Sequence, residues 1–439
     1  VPNMKNNIHR MVACALSLAL LPLCFLSSCK DNGQGDMTST GDDSTGTPEP
    51  QVLTVVDKSE AKLTVVRPEA DPGATTRFAK ALRTKLNNYF KAKFPFSDDW
   101  YDPSISSITP VTESYELLVG DVDREESRTA KAELQAGEYM IRVTDKKVVI
   151  VGYNTDALAV ACRYFFVEMC KYSEHSDSTT NSLAFPVGLE VKRNAGSSEF
   201  ASIVKSDMGI TANLDRRIYK GSGGDYRYAQ GAACDGEYIY LTYITNDVGV
   251  IKKARLSDGT VVKTSAPFAT NHGNDMTYDS KRGLLVFVHM ADNRISFISP
   301  ETLEVVESRV LPYSSYAIAY NEKDDAYVIA SGGQFLFTDS DFNVKREATI
   351  QSFGFIGQGV DTDGTYIYLP QSWPSDAKER TNIIQIYDWN GTHITNAVAY
   401  TAMESETVFH VGSDFYIYFN DTSYREPEVH KISFFRDFK

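Results

Sequence analysis

An α+β chain, with a small α/β domain followed by an all-β five-bladed propeller, is what the sequence predicts. Three observations carry this. First, a theme recurs five times, starting at Gln230, His272, Ser315, Gln358 and Glu404, at spacings of 42, 43, 43 and 46 residues. Second, each recurrence ends in a hairpin turn followed by alternating aromatic and β-branched residues, as in Asp235-Gly236 before Tyr238-Ile239-Tyr240 and Asp363-Gly364 before Tyr366-Ile367-Tyr368. Such a period with such turns is what stacked antiparallel blades require. Third, residues 51–193 show a different rhythm, in which short apolar strands alternate with helical stripes.

At the start of the chain, Lys5 and Arg10 precede an apolar run from Met11 to Leu26. The run is short for a bilayer span and has the layout of a secretory signal. It ends Leu26-Ser27-Ser28-Cys29, which resembles the lipobox of bacterial lipoproteins. The resemblance implies a signal peptide over 1–28 and lipidation at Cys29. Residues 29–50 are rich in Gly, Ser, Thr and Asp and have no apolar face to bury, so a disordered tether is expected. Lys30-Asp31 after the cysteine resembles the surface-export signal of Bacteroidetes lipoproteins, from which Asn32 departs. The implied location is the outer membrane, lipid-anchored and facing outward, with the anchor as the sole membrane contact.

Forty-four basic residues against 58 acidic ones leave a net charge of −14. That excludes nucleic acid as a partner, since phosphate binding needs a basic footprint. Cys162 and Cys170 lie eight positions apart on an expected helix, roughly 12 Å along its axis and beyond disulfide reach. With Cys234 they read as buried thiols. No metal-ligand spacing is present, and no cofactor is expected.

In the first domain, Ala61 to Arg67 reads as a strand. Asp71 and Pro72 open a helix whose stripe is Phe78, Leu82, Leu86 and Phe90. Tyr115 to Gly120 is a strand and Glu125 to Leu134 a short helix. Tyr139 to Val143 and Lys147 to Gly152 form a hairpin, the latter a central strand. Asn154 caps a long helix ending near Tyr172, and Phe185 to Val191 is a last strand. Two segments, Tyr115 to Ser127 and Val148 to Leu158, resemble the small α/β domain that precedes the catalytic barrel in several bacterial glycoside hydrolases, including hexosaminidase-like ones. That domain is accessory there, and no barrel follows here. The resemblance implies carbohydrate use at a bacterial surface and no catalytic residue.

In the propeller, over 200–439, the fifth repeat runs out after its third strand, Glu428 to Phe435. Residues 201–220 are the candidate for its missing outer strand, closing the ring and removing an exposed edge. Aligning the repeats on their hairpin turns puts Gln230, Asn274, Tyr316 and Gln358 at one equivalent position, and Glu406 joins them with one inserted residue. These groups should ring the channel mouth, flanked by His272 and Asp275. Such a ring both donates and accepts, as recognition of sugar hydroxyls requires. The same groups would equally serve to satisfy one another and trapped water. The expected function is non-catalytic binding of a glycan or an envelope protein. The alternative is a propeller-type glycoside hydrolase or polysaccharide lyase, whose acid and base would come from Asp275, Glu404, Glu406 and His272.

Overall fold

The strand Lys147–Gly152 is buried along its whole length and lies inside a six-stranded mixed sheet. A computed structural model describes residues 51–71, 73–105, 107–221, 226–374, 380–421 and 426–439. The expected signal segment, Cys29 and the tether lie outside the described residues. No helix among the described residues is long and apolar enough to cross a membrane.

The sheet runs in the order Glu190–Asn194, Glu138–Val143, Lys147–Gly152, Glu116–Val119, Thr64–Arg67, Phe96–Asp98. The hairpin expected across residues 144–146 is present, and the last three strands continue it in parallel. Helix α1 (Ala74–Phe90) and helix α3 (Thr155–Tyr164) pack on one face. Phe78, Leu82, Leu86 and Phe90 are fully buried there, as the stripe predicts. Helix α2 (Glu125–Ala132) covers the other face.

Several expectations need correction. Asn154 does cap α3, its side chain accepting from the N–H of Ala157 at 2.8 Å, but the helix loosens into a π-helical stretch over Phe165–Lys171. The cap position of α1 is Gly73, and Asp71 instead accepts from the Gly73 N–H at 2.9 Å. The single strand expected from Phe185 to Val191 is two strands in different sheets. Ser182–Pro186 pairs with Val52–Asp57, a strand not foreseen, and Glu190–Asn194 pairs with Glu138–Val143. The turn at Gly188, at φ 85°, divides them. Cys162 and Cys170 are buried free thiols, whereas Cys234 is only half-buried.

From Tyr228 onward the chain is strand after strand, in antiparallel units that fit a β-propeller: two stand as separate four-stranded sheets, the first carries a short fifth strand, Phe268–Ala269, and the last two are joined in one nine-stranded sheet by the parallel pairing of Gly209–Lys220 with His393–Ala399. The second sheet is typical: Gly273–Asp279, Leu284–His289, Arg294–Ile298 and Val305–Val310, each pairing with the next. The innermost strands touch in a circuit. Tyr228–Cys234 packs against Gly273–Asp279, which packs against Ala317–Asn321, then Asp361–Thr362, then Glu404–Val411, and so back to Tyr228–Cys234. Gly209–Lys220 runs antiparallel along Glu428–Asp437, from Gly209 opposite Asp437 to Lys220 opposite Glu428. It thus supplies the fourth strand beside Glu404–Val411 and Asp414–Asn420. Helix α4 (Phe200–Ile203) precedes it.

The turn chemistry is repeated as well. Asp235 and Asp363 each accept two backbone N–H bonds within their turn at 2.7–2.9 Å. The second tyrosine of each Tyr-Ile-Tyr returns to the same carboxylate, Tyr240 to Asp235 at 2.6 Å and Tyr368 to Asp363 at 2.7 Å. The aromatic alternation therefore locks the hairpin that precedes it as well as packing the sheets.

The two parts share a core. Phe435 and Phe438, near the chain's end, are buried among the helices of the first part, and Phe435 meets Phe78 edge-on at 6.1 Å. Arg436 pairs with Asp156 in the first turn of α3, with both groups almost fully buried.

Candidate functional site

The inner strands do not start cleanly, and this shapes the site. In the strand Tyr228–Cys234 the pairing register shifts between Ala229 and Ala232. It shifts between Gly273 and Asp275 in the second sheet, and between Ser405 and Thr407 in the last. Gln230, Asn274 and Glu406 fall inside these shifts. An extra residue in a bulge is freed from the ladder, and its side chain is re-aimed. In the fourth sheet Gln358 lies in the gap between the pairs Gly357↔Gln371 and Asp361↔Tyr368. Tyr316 stands just before its strand, its N–H bonded to the Ala330 carbonyl at 2.9 Å.

The result is one cavity of about 690 Å³, bordered by Gln230, His272, Asn274, Tyr316, Gln358 and Glu406. Glu404 borders it too. Asp275 is not part of this lining. It is fully buried, where its carboxylate accepts from the N–H groups of Ile318 and Val360 at 3.0 and 2.9 Å and from the Thr407 hydroxyl at 3.0 Å. The axis is tight at this point. A Cβ on Gly231 would lie 2.5 Å from Asp275 Cα, and one on Gly359 would lie 2.2 Å from the Thr407 hydroxyl oxygen. That is why glycine follows both Gln230 and Gln358.

Some of the ring is already engaged. Asn274 Nδ2 donates to the Tyr316 carbonyl at 3.0 Å, and Gln358 Nε2 donates to the Ser372 hydroxyl at 3.1 Å. His272 sits in the left-handed region at φ 54°, its carbonyl accepting from Met290 N–H at 3.3 Å. Burial raises the pKa of Asp275, to about 8, against the pull of the N–H groups of Val360, Ile318 and Met276 and of the Thr407 hydroxyl. Burial also raises Glu406 well above the usual carboxylate range, with the neighbouring Glu404 adding to the shift, and burial raises Glu404. The Tyr316 phenol is pushed up to about 12 for the same reason.

Several lining residues escaped the sequence reading: Tyr228, Asn246, Asp247, Met290 and Asn420. Asn420 pairs directly with Glu404 across the Gly412 turn. Counting that hairpin's register could have found it. Asn246 and Asp247 both have positive φ, at 50° and 64°, in the tight turn after Thr245. Asp361 Oδ2 lies 2.7 Å from the His410 ring nitrogen Nδ1.

No family model and no curated protein matches the chain. Among solved structures, glutaminyl cyclase from Myxococcus xanthus overlaps 53% of this chain and 99% of its own, at 10% identity and a TM-score of 0.42. The Cps50 (Swd1) β-propeller domain from Myceliophteria thermophila overlaps 51% and 99%, at 8% identity and a TM-score of 0.31. A protein of unknown function from Bacteroides caccae overlaps 39% and 66%, at 12% identity and a TM-score of 0.29. These overlaps bear on no residue's role, so the chemistry is argued from this chain alone.

Proposed function

We propose that the chain is a lipid-anchored protein of the outer membrane, displayed outward, that binds a glycan without turning it over. In this reading the five antiparallel units, the last two of them joined in one sheet, are the blades of one propeller closed by Gly209–Lys220, and residues 51–193 are an accessory α/β domain. One observation carries it: side chains from the start of all five inner strands border a single cavity of about 690 Å³. That size suits a small saccharide. Amides from Gln230 and Gln358, carboxyls from Glu404 and Glu406, and the ring of Tyr316 offer donors, acceptors and a face for a pyranose. Leu26-Ser27-Ser28-Cys29 supports the anchor. The test is a glycan array probed with the full chain in detergent, together with Gln358→Ala. Binding of a defined glycan, weakened in the variant, is expected. A chain that binds a protein of the envelope and no glycan would replace the sugar reading.

A second reading is favoured by the carboxyl pair on the strand Glu404–Val411. A buried carboxyl whose pKa its surroundings raise is what a general acid needs. A glycoside hydrolase or lyase of this kind would lose turnover in Glu406→Gln and keep its binding. Absence of any product from bound glycans contradicts this second reading.

A further inference from the structure

The carboxyl groups of the cavity face no lysine or arginine among the described residues. These groups are Asp247, Glu404 and Glu406. Glu406 is 2% exposed and has no cation against it among the described ion pairs. Its neighbour Asn420 donates a side-chain hydrogen bond to it. Asn420 is itself 4% exposed, and its Oδ1 has no partner among the described residues. A buried acceptor left unpaired is costly, and a native structure keeps one where something else completes it.

The unmet demand is therefore for donors. Asn420 Oδ1, the Glu406 carboxyl and Glu404 Oε2 can all accept, Glu404 Oε1 being already engaged by Gln358 Nε2 at 3.4 Å and the Ser372 hydroxyl at 3.5 Å. An alkylammonium group has three N–H donors and one positive charge; beside Glu404 and Glu406 it supplies the donors and favours the ionised forms of two carboxyls that burial otherwise holds towards their neutral forms. The rings of Tyr228 and Tyr316 border the same cavity and present faces that attract cations. A bare hard cation fits less well. Such ions want six or more oxygens drawn closely around them, whereas this space holds a body the size of a saccharide.

We infer that the ligand of this cavity carries a primary ammonium group, and that it is an amino sugar whose nitrogen is not acylated. The inference rests on the glycan reading above and deepens it. N-acetylation removes the charge and two of the three donors and adds bulk at the point where Glu404, Glu406 and Asn420 converge. Acetylated and unacetylated forms of one sugar should therefore be told apart.

The test is calorimetric titration of the full chain with three probes: glucosamine oligomers, the same oligomers N-acetylated, and a non-sugar diamine. The amino oligomer should bind at least tenfold more tightly than its acetylated form, and the diamine weakly. In Glu404→Gln the preference for the amino form should fall about tenfold, the amino form losing far more affinity than the acetylated form. The comparison of ligands on the parent protein needs no variant, so it stands even where a variant misfolds. Equal binding of both oligomers would overturn the ammonium inference and leave the glycan reading intact. Tight binding of the diamine without either oligomer would overturn the amino-sugar assignment and the glycan reading together. No binding of any probe would overturn the inference, and the glycan array then decides the broader reading separately.

Discussion

Asp275 Oδ2 accepts a hydrogen bond from the backbone N–H of Val360 at 2.9 Å, across 85 residues of sequence. The same oxygen accepts from Ile318 N–H, and Oδ1 accepts from Thr407. One carboxyl therefore ties the second sheet to the third, fourth and last at the axis. Asp275→Ala would strand two buried N–H groups. A loss of about 1–3 kcal/mol per unpaired group is expected. Asp275→Asn keeps an acceptor for the two N–H groups and lets the Thr407 hydroxyl reverse, so it should cost far less. Denaturant unfolding of both variants checks this. Equal loss in both would show that charge, not acceptor geometry, holds the axis.

Gly359 should tolerate nothing larger. Its added Cβ would meet the Thr407 hydroxyl oxygen at 2.2 Å and Asp275 Oδ1 at 2.8 Å. Overpacking at such a point costs about 1–3 kcal/mol, and here it would also break the Asp275 junction. Gly359→Ala should lower the melting temperature, while Gly332→Ala, with open space around it at positive φ, should lower it less. A Gly359→Ala protein as stable as its parent would contradict the packing described.

His410 gives a pH dependence. The Asp361 carboxylate raises it from 6.5 to about 9, against burial. Its folded-state pKa lies above its unfolded value, so its stabilisation is complete below about pH 6.5 and is lost as pH rises through about 9. The melting-temperature difference between the parent and His410→Gln should therefore shrink across that window. A difference that is constant or grows with pH would sink the assignment.

The periodicity of the last 210 residues was readable because turn and strand residues alternate with little interruption, and the hairpin Asp-Gly turns fix the register. The pairing of residues near 209–220 with the last strand was readable by elimination, from a repeat one strand short. What could not be read were the bulges at Gln230, Asn274 and Glu406. A bulge is a one-residue shift that leaves composition unchanged, and only in the last repeat did it surface as an apparent insertion. Asp275 was misplaced for the same reason. One residue beyond the bulge, its side chain turns from the cavity into the axis. The split of the expected strand at Phe185 to Val191 was hidden because apolar residues continue through the turn at Gly188.

The most direct measurement of the central claim is the affinity of Gln358→Ala and Tyr316→Ala for whichever glycan the parent binds, read beside their melting temperatures. Both residues border the cavity. Losing a hydrogen bond or a stacking face in a desolvated site costs about 1–3 kcal/mol, so binding should weaken tenfold or more. The melting temperatures separate loss of binding from loss of fold, since Gln358 bonds the buried Ser372 hydroxyl and Tyr316 packs against a core cluster. Parent-like affinity in both variants would place the ligand elsewhere and contradict the account.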